Sequence, residues 1–332
     1  MNLRNLALIG AGYWGKNLAR NFNELGALHT LCDLSPAILH SYGAEYQAVR
    51  KTSDLASIWT DAGVTAVAIA APAVHHHRLA KAAMLAGKDV YVEKPLCLQG
   101  AEADELTALA RQTGRILMVG HLLQYHPHVR QLQEWVGAGE LGELRYVASH
   151  RLSLGKFRRE ENVLWSFAPH DISVILSLAG GRLPQRVSCA GSGHLTPGVH
   201  DTIAMTMTFA DDLAAHVYAN WANPFKEQKL TVVGTKAMAV FDDTKPWAEK
   251  LALYRDYYEA GPAGPQPRKA AAQFAQVAEA EPLRAECEHF LHCCRTRATP
   301  RTDGTEGKRV LDVLQASQAS LDSGKTVDLP SP

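Results

Sequence analysis

Ten residues near the N-terminus, Leu6-Ala7-Leu8-Ile9-Gly10-Ala11-Gly12-Tyr13-Trp14-Gly15, constrain the fold of this chain more than any other stretch. An unbroken apolar run over residues 6–9 suits a short strand buried on both faces, and the glycines that follow stand as G-x-G-x-x-G. Beyond them Leu18, Ala19, Phe22 and Leu25 recur at helical spacing, which predicts a helix over residues 14–25. Gly10 permits the tight turn. Gly12 leaves the backbone open to a pyrophosphate because it carries no Cβ, and Gly15 lets the helix lie close to the strand. The helix start adds unpaired N–H groups and a partial positive charge. A second apolar strand at 28–32 ends in Asp33. That is about 20 residues past the turn, where a carboxylate hydrogen-bonds the ribose hydroxyls of a dinucleotide. Asp33 repels a 2′-phosphate, so the pattern favours NAD over NADP. It also stands where it can cap the turn into Ser35-Pro36.

The alternation continues after Asp33. Helices are expected at 36–43, 53–59, 75–86 and 101–112, and strands at 64–70, 89–93 and 116–119. The run at 64–70 is almost wholly apolar, as a parallel strand covered on both faces requires. Residues 1–120 therefore read as a doubly wound α/β domain. In such a sheet ligands gather beyond the C-terminal strand ends, which here present 10–15, Asp33, 71–76, 93–95 and 120–121. From residue 121 to 332 the character changes. A helix at 125–136 precedes strand-like stretches at 143–152, 185–193, 201–209, 213–221, 228–234 and 237–242, with one helix at 169–178 among them. The pattern predicts a second, α/β domain with an open, mainly antiparallel sheet. Residues 255–280, rich in glycine, proline and then alanine, read as a surface excursion. Helices at 282–295 and 305–323 close the chain, the second opened by Asp303 and Glu306 in the manner of a capping box.

Composition narrows the class. The chain has 332 residues, enough for two domains, zero formal net charge and 20% charged residues, so nothing in it points to nucleic acid or an anionic membrane. No apolar run approaches the roughly 20 residues of a bilayer span. The N-terminus lacks a secretory pattern, and a cytoplasmic enzyme is expected. The six cysteines show no disulfide framework and suit a reducing compartment. Cys287-Glu-His289-Phe-Leu-His292-Cys293-Cys294 holds metal-ligand types, but on one helix Cys287, His289 and His292 do not share a face. Consecutive His75-His76-His77 likewise point in different directions. No metal is expected.

Glu93-Lys94-Pro95 is the most informative tripeptide after the glycine turn. A lysine at a strand's C-terminal edge can exchange a proton with a substrate hydroxyl as hydride leaves the same carbon. Gly10-Ala-Gly-Tyr-Trp-Gly15, Pro72 with His76, Ala86-Gly-Lys-Asp-Val-Tyr-Val-Glu-Lys94-Pro-Leu96 and Val119-Gly-His121 together resemble the glucose-fructose oxidoreductase/inositol dehydrogenase (Gfo/Idh/MocA) family. The resemblance spans the chain and implies a Rossmann domain followed by an open-sheet domain that builds homodimers or homotetramers. It implies NAD(P)-linked oxidation of a ring hydroxyl, with the lysine of E-K-P touching substrate and cofactor. The cofactor set it implies is Gly10, Gly12, Tyr13, Trp14, Gly15, Asp33, Ala71, Pro72, His76, Glu93 and Lys94. The family's D-x-x-x-H motif matches the stretch around Ser166 and His170, with Ser166 where the aspartate stands. Lys94 and His170 are thus the expected acid–base pair, and the residues leave open which is the base. Asp171 is placed either to orient His170 or to cap the expected helix, with the cap favoured.

Further stretches, Arg158-Arg-Glu-Glu-Asn-Val-Leu-Trp165, Ala168-Pro-His-Asp171 and Pro224-Phe-Lys-Glu-Gln-Lys229, resemble the family's nucleotide-sugar branch. Members of that branch oxidise carbon 3 of a UDP-N-acetylated hexose and feed an aminotransferase that makes a 3-amino sugar. The resemblance implies UDP-N-acetylglucosamine as substrate, in lipid A synthesis. Its 6-carboxylate relative is the alternative sugar, and a non-catalytic NAD-dependent sensor on the same fold is the alternative class. A pyrophosphate calls for Arg or Lys donors, and Lys156, Arg158, Arg159, Lys226 and Lys229 are the candidates. Trp165 or Trp221 can stack on sugar or base, and Tyr125 joins Lys94, Arg158, Trp165, His170 and Lys226 in the expected substrate set.

Overall fold

The computed structural model describes residues 4–329 except 156, 256 and 269–270, so Lys156 lies outside the described residues. The chain divides into two compact units, Met1–Tyr125 with Glu281–Leu311 and His126–Ala280 with Asp312–Pro332.

The first unit opens with the alternation read above. It runs β1 (Leu6–Ile9), α1 (Gly15–Glu24), β2 (Leu28–Cys32), α2 (Pro36–His40), β3 (Arg50–Thr52), α3 (Ala56–Trp59), β4 (Ala66–Ile69), α4 (His76–Leu85), β5 (Asp89–Glu93), α5 (Gly100–Thr113) and β6 (Leu117–Gly120). All strand pairs are parallel, in the order β3-β2-β1-β4-β5-β6. The order reverses between β1 and β4, and the glycine turn leaves β1 at that switch point. β1, β4 and the first four residues of β5 are buried throughout, which explains their unbroken apolar runs. β3 carries no apolar pattern, since Arg50-Lys51-Thr52 is an edge strand with polar side chains toward water.

The second unit is built on α6 (Pro127–Gly137), α7 (Val163–Leu178) and a nine-stranded sheet. Its strands are β7 (Leu144–Leu154), β8 (Arg186–Ser192), β9 (Thr202–Thr208), β10 (Ala214–Asn220), β11 (Ala222–Gly234), β12 (Ala237–Asp242), β13 (Leu251–Arg255), β16 (Gln273–Phe274) and β17 (Val327–Asp328). Between β13 and β16 lies a separate hairpin of β14 (Tyr258–Gly261) and β15 (Gly264–Pro267). The sheet order is β16-β13-β12-β11-β7-β10-β9-β8-β17, antiparallel throughout except where β10 meets β7. Along β8, β9 and β10 the side chains alternate. Val187, Cys189, Met205, Met207, Val217 and Ala219 are buried, whereas Ser188, Ala190, His216 and Tyr218 face solvent. α7 covers the buried face, and the other face is open.

Two expectations are corrected here. The helix expected at 169–178 begins at Val163, because the Asn162 side chain accepts the Trp165 N–H at 3.2 Å and caps it there. Pro169 removes one helical hydrogen bond but does not end the helix, since 12 of its 16 residues are buried against the sheet and hold it together. The excursion expected at 255–280 holds the β14–β15 hairpin and the β16 edge strand.

The chain then returns to the first unit. α8 (Pro282–Thr296) sets Leu283, Cys287, Phe290 and Cys293 into the same core as Leu18 and Phe22 of α1 and Tyr91 of β5. Phe290 meets Phe22 and Tyr91 edge-on, at ring-centroid distances of 6.4 and 5.8 Å. The Arg297 guanidinium, just past the helix, donates to both oxygens of Asp89 at 2.6 and 3.0 Å. The expected split of 1–120 against 121–332 omits this return, because the helical pattern of 282–295 does not say which core it fills. α9 (Gly304–Ser323) forms half of the expected capping box. The Glu306 N–H donates to Asp303 Oδ1 at 2.8 Å, while the Glu306 carboxylate turns to His121 Nδ1 at 2.6 Å. Replacing buried Phe290 by alanine should destabilise the protein by about 3–5 kcal/mol in denaturant unfolding. A loss below ~1 kcal/mol would remove α8 from the core.

Candidate functional site

The glycine turn is shaped by what its missing side chains would strike. Gly10 has a φ of +88°, and a Cβ there would sit 2.7 Å from the Ala70 carbonyl. A Cβ at Gly15 would lie 1.9 Å from the Gly10 carbonyl oxygen. Both positions are therefore closed to any other residue, and β1, β4 and α1 meet there through backbone alone. Gly12 differs, because a Cβ there would meet no described atom within 4 Å. Its open side is where a pyrophosphate can approach. α1 carries no side-chain cap and no acidic residue in its first turn, so its positive end remains open to an anion, although the Lys16 and Asn17 amides donate to the Gly12 and Trp14 carbonyls at 3.0 and 2.9 Å.

Asp33, at the end of β2, is held in two directions. Oδ2 accepts the Ala11 N–H and Oδ1 accepts the Ser35 N–H, each at 2.8 Å. The N-cap of α2 is Ser35, whose hydroxyl accepts from Ile38. Asp33 thus braces the glycine turn against β2, and each oxygen keeps a further acceptor position for ribose hydroxyls. Tyr42 donates to the Ala11 carbonyl at 2.7 Å from the other side of the same turn. Tyr13 is highly exposed and Trp14 partly so.

Beyond β4 and β5 the loops are stapled by His76. Its ring nitrogens lie 2.7 Å from the Pro95 carbonyl and 2.8 Å from the Ala71 carbonyl, and the ring is buried. Burial, with Lys94 as a lesser cause, holds its pKa below the ordinary histidine value. A neutral His76 donates its single N–H to one of these carbonyls and packs against the other, lying between the Ala71-Pro72 and Lys94-Pro95 segments. His75 is exposed, and His77 lies 2.6 Å from Glu105. Among the described residues no group of three metal-ligand side chains comes together. Lys94 is partly buried directly past β5, joined to Pro95 by a cis peptide bond. Glu93 accepts the Trp14 indole N–H at 2.6 Å, which ties the E-K-P segment to the glycine turn. Glu286, from α8, also reaches this end of β5 through Tyr91, and no spacing in the sequence announces it.

The remaining candidates lie in other settings. Tyr125 is a core residue, with its hydroxyl on Thr302 Oγ1 at 2.9 Å and its ring tilted against His289. That burial removes it from the expected substrate set. In the second unit, Trp221 is likewise buried, edge-on to Phe167. Trp165 is partly exposed, and its indole N–H donates to Gln318 Oε1 at 3.0 Å. Arg158 pairs with Glu161, and Lys226 stands exposed on β11 beside exposed Phe225. His170 lies partly buried on α7, with Ser166 one turn before it.

Asp171 corrects both readings offered for it. It sits in the middle of α7, where its carboxylate accepts from Arg151 Nε at 2.7 Å, Arg151 Nη2 at 2.9 Å and Ser149 Oγ at 2.7 Å. It is neither a cap nor the partner of His170. A bidentate, buried arginine pair of this kind pins α7 to β7.

Comparison with known proteins places both parts of the chain in one family. A model of the oxidoreductase family with NAD-binding Rossmann fold (GFO_IDH_MocA) matches residues 4–121, and one of the GFO/IDH/MocA C-terminal domain matches 129–240. The UDP-N-acetylglucosamine 3-dehydrogenase of Acidithiobacillus ferrooxidans is 27% identical over 305 residues, 92% of this chain and 93% of that protein. Its solved structure superposes with a TM-score of 0.84 over 96% of this chain and 98% of its own. A solved oxidoreductase from Magnetospirillum magnetotacticum is 30% identical, with a TM-score of 0.82 over 95% of this chain and 99% of its own. GenD2 from gentamicin A biosynthesis, solved in complex with NAD, shares the fold at 20% identity, with a TM-score of 0.81 over 99% of this chain and 97% of its own.

The open side of Gly12, the uncapped start of α1 and the braced carboxylate of Asp33 fit NAD. A Gly12→Ala variant should unfold at the wild-type temperature yet bind NAD at least about tenfold more weakly in calorimetric titration. Gly15→Ala should lose stability itself, since its Cβ meets backbone. Equal stability in the two variants would contradict this division.

Proposed function

The chain belongs to the Gfo/Idh/MocA oxidoreductase family, and on that footing we propose that it oxidises the 3-hydroxyl of UDP-N-acetylglucosamine to the 3-keto sugar. The observation that carries this reading is the near full-length similarity to the Acidithiobacillus ferrooxidans enzyme. NAD, when bound, supplies the hydride acceptor. The chain's own work is to hold the dinucleotide, present the hydroxyl and move its proton. Gly12, the α1 amides and Asp33 hold pyrophosphate and ribose. Lys94 is the group we assign to proton exchange with the reacting hydroxyl. His170 is the second acid–base group, and with Ser166 one turn away and Asp171 committed to Arg151, neither of those positions offers it a carboxylate. Arg158 and Lys226 are the cations we assign to the substrate pyrophosphate, with Trp165 as a stacking surface.

The keto product would pass to an aminotransferase that makes the 3-amino sugar for lipid A, in the cytoplasm. No helix among the described residues is long and apolar enough to cross a membrane. The open face of the nine-stranded sheet presents Tyr146, His150, His216 and Tyr218, and we assign it to homodimer or homotetramer formation.

Purified protein with NAD, a 3-ketosugar aminotransferase and glutamate should generate reduced nicotinamide absorbance with UDP-N-acetylglucosamine. UDP-N-acetylglucosaminuronate, inositol and glucose should give none. Signal with the uronate alone would move the protein to that sugar, and silence on all four with NAD bound would favour a sensor. Lys94→Ala should lower kcat by about 10²–10⁴ while NAD still binds. Wild-type turnover in that variant would end the assignment of Lys94. Sedimentation velocity should show dimers or tetramers, and a lone monomer at working concentration would remove the role given to the sheet.

A further inference from the structure

Glu286 is an ionisable residue with nothing in the proposed chemistry to do, yet it is 1% exposed in the core of the first unit. Its Oε2 lies 3.1 Å from the Tyr91 hydroxyl, and the same hydroxyl lies 2.9 Å from Glu93 Oε1. Trp14 also donates to that Glu93 oxygen, at 2.6 Å. Glu286 Oε1 has no hydrogen-bond partner among the described residues. The site is also closed sterically, since a Cβ at Gly120 would stand 2.5 Å from the Tyr91 hydroxyl and 3.1 Å from the Glu93 carboxyl carbon. One phenol therefore sits between two carboxyl groups in a space that admits no further side chain.

Counting hydrogens decides how this chain must run. Tyr91 has a single hydroxyl hydrogen and two acid oxygens facing it. With both acids ionised, one of the two contacts would set lone pair against lone pair, away from water, and leave a buried charge unpaired. A single proton on one acid satisfies both contacts. Glu93 is the poorer place for it. Burial raises its carboxyl too, but its carboxylate accepts from Trp14, Tyr91 and the Lys94 backbone N–H, and the Lys94 charge favours its anion, so it is raised less than Glu286. Glu286 has Tyr91 alone, while Glu93 and Glu306 both oppose its ionisation. Burial and those two like charges push the Glu286 carboxyl well above the usual carboxylate range. The order is then Glu286 O–H to Tyr91, and Tyr91 O–H to Glu93. The other titratable groups facing this cluster do not favour a Glu286 anion. Burial raises the Cys287 thiol and the Tyr125 phenol, so both stay neutral, and Glu306 is engaged by His121.

We propose that Glu286 is a protonated acid which, through Tyr91, keeps Glu93 anionic beside Lys94 and so acts as a positioning residue for the proton exchange assigned to Lys94. The part concerning Lys94 rests on the function proposed above, whereas the proton on Glu286 does not. An anionic Glu93 favours the Lys94 ammonium, so Lys94 takes the hydroxyl proton only after releasing its own to solvent, and Glu93 sets the pH at which that happens. A neutral Glu286 supplies the donor that fixes the Tyr91 hydroxyl without adding a second negative charge.

Infrared difference spectra of the full-length protein at neutral pH test the proton directly. A carboxylic acid C=O band should be present in the wild type, lost in Glu286→Gln and retained in Glu93→Gln. A spectrum with no band lost in Glu286→Gln, or with the band lost only in Glu93→Gln, overturns the assignment. If Glu286→Gln does not fold, Tyr91→Phe replaces it. The band should then move to higher wavenumber as the acid loses its acceptor, and an unmoved band overturns the chain. The pH dependence of kcat/KM for sugar oxidation tests the consequence. Glu286→Gln exchanges one neutral donor for another and should leave the ascending limb in place. Glu93→Gln removes the anion that favours the Lys94 ammonium and should move that limb to lower pH by about one unit. Equal displacement in both variants would mean that Glu286 is ionised, and no displacement in Glu93→Gln would mean that Glu93 does not govern Lys94. Failure of the wild type on every sugar would refute the proposed substrate while the infrared result still decides the proton on Glu286.

Discussion

The first unit depends on a contact between backbones. At Gly10 and Gly15 the strand β1, the end of β4 and the start of α1 approach so closely that a single methyl group at either position would overlap a carbonyl. Because those three elements meet without side chains, α1 starts directly beyond the glycine turn, with no side-chain cap on its first turn. The rest of the site is braced onto this turn. Asp33 reaches it from β2, Tyr42 from the segment after α2, and Trp14 carries the bracing across to Glu93 and the E-K-P segment. The glycine turn and the E-K-P segment are thereby parts of one hydrogen-bonded assembly.

Much of this was legible in the sequence because it is local. A strand, a glycine pattern, a helix and an acidic strand end follow one another within about 30 residues, as a βαβ unit does, and each residue's task can be read from its neighbours. The alternating strands of the second unit were legible for the same reason, since burial on one face writes itself at every second residue. What escaped was decided by partners distant in the chain. Tyr125 looks like a polar aromatic near a strand end, but Thr302 and His289 claim it for the core. Asp171 looks like a neighbour for His170, but Arg151 takes both of its oxygens. Pro169 looks like a helix start and is an interior residue of a helix whose burial outweighs the lost hydrogen bond.

The same distinction separates the two kinds of residue around Lys94. Glu93 is adjacent in sequence and is part of the motif that points to the site. Glu286 arrives from a helix nearly 200 residues later, and only the packing of α8 against β5 makes it a neighbour. Buried polar groups in such a position carry a high desolvation cost and persist when every hydrogen has an assigned acceptor. The Glu286–Tyr91–Glu93 chain meets that condition with one proton, and Gly120 keeps the space from being filled otherwise.

The return of Glu281–Leu311 to the first unit has a consequence for how the protein comes into being. A ribosome delivers β1 through β6 early, yet the core they share with Phe290 and Cys287 stays unfinished until the penultimate helix has emerged. The whole nine-stranded sheet except β17 is synthesised in the interval. The nucleotide-binding half must therefore wait, with one side of its core uncovered, while the other half has nearly all of its strands in hand. Vectorial synthesis thus gives the later-encoded sheet the first opportunity to settle, and makes completion of the dinucleotide cradle one of the last events of maturation.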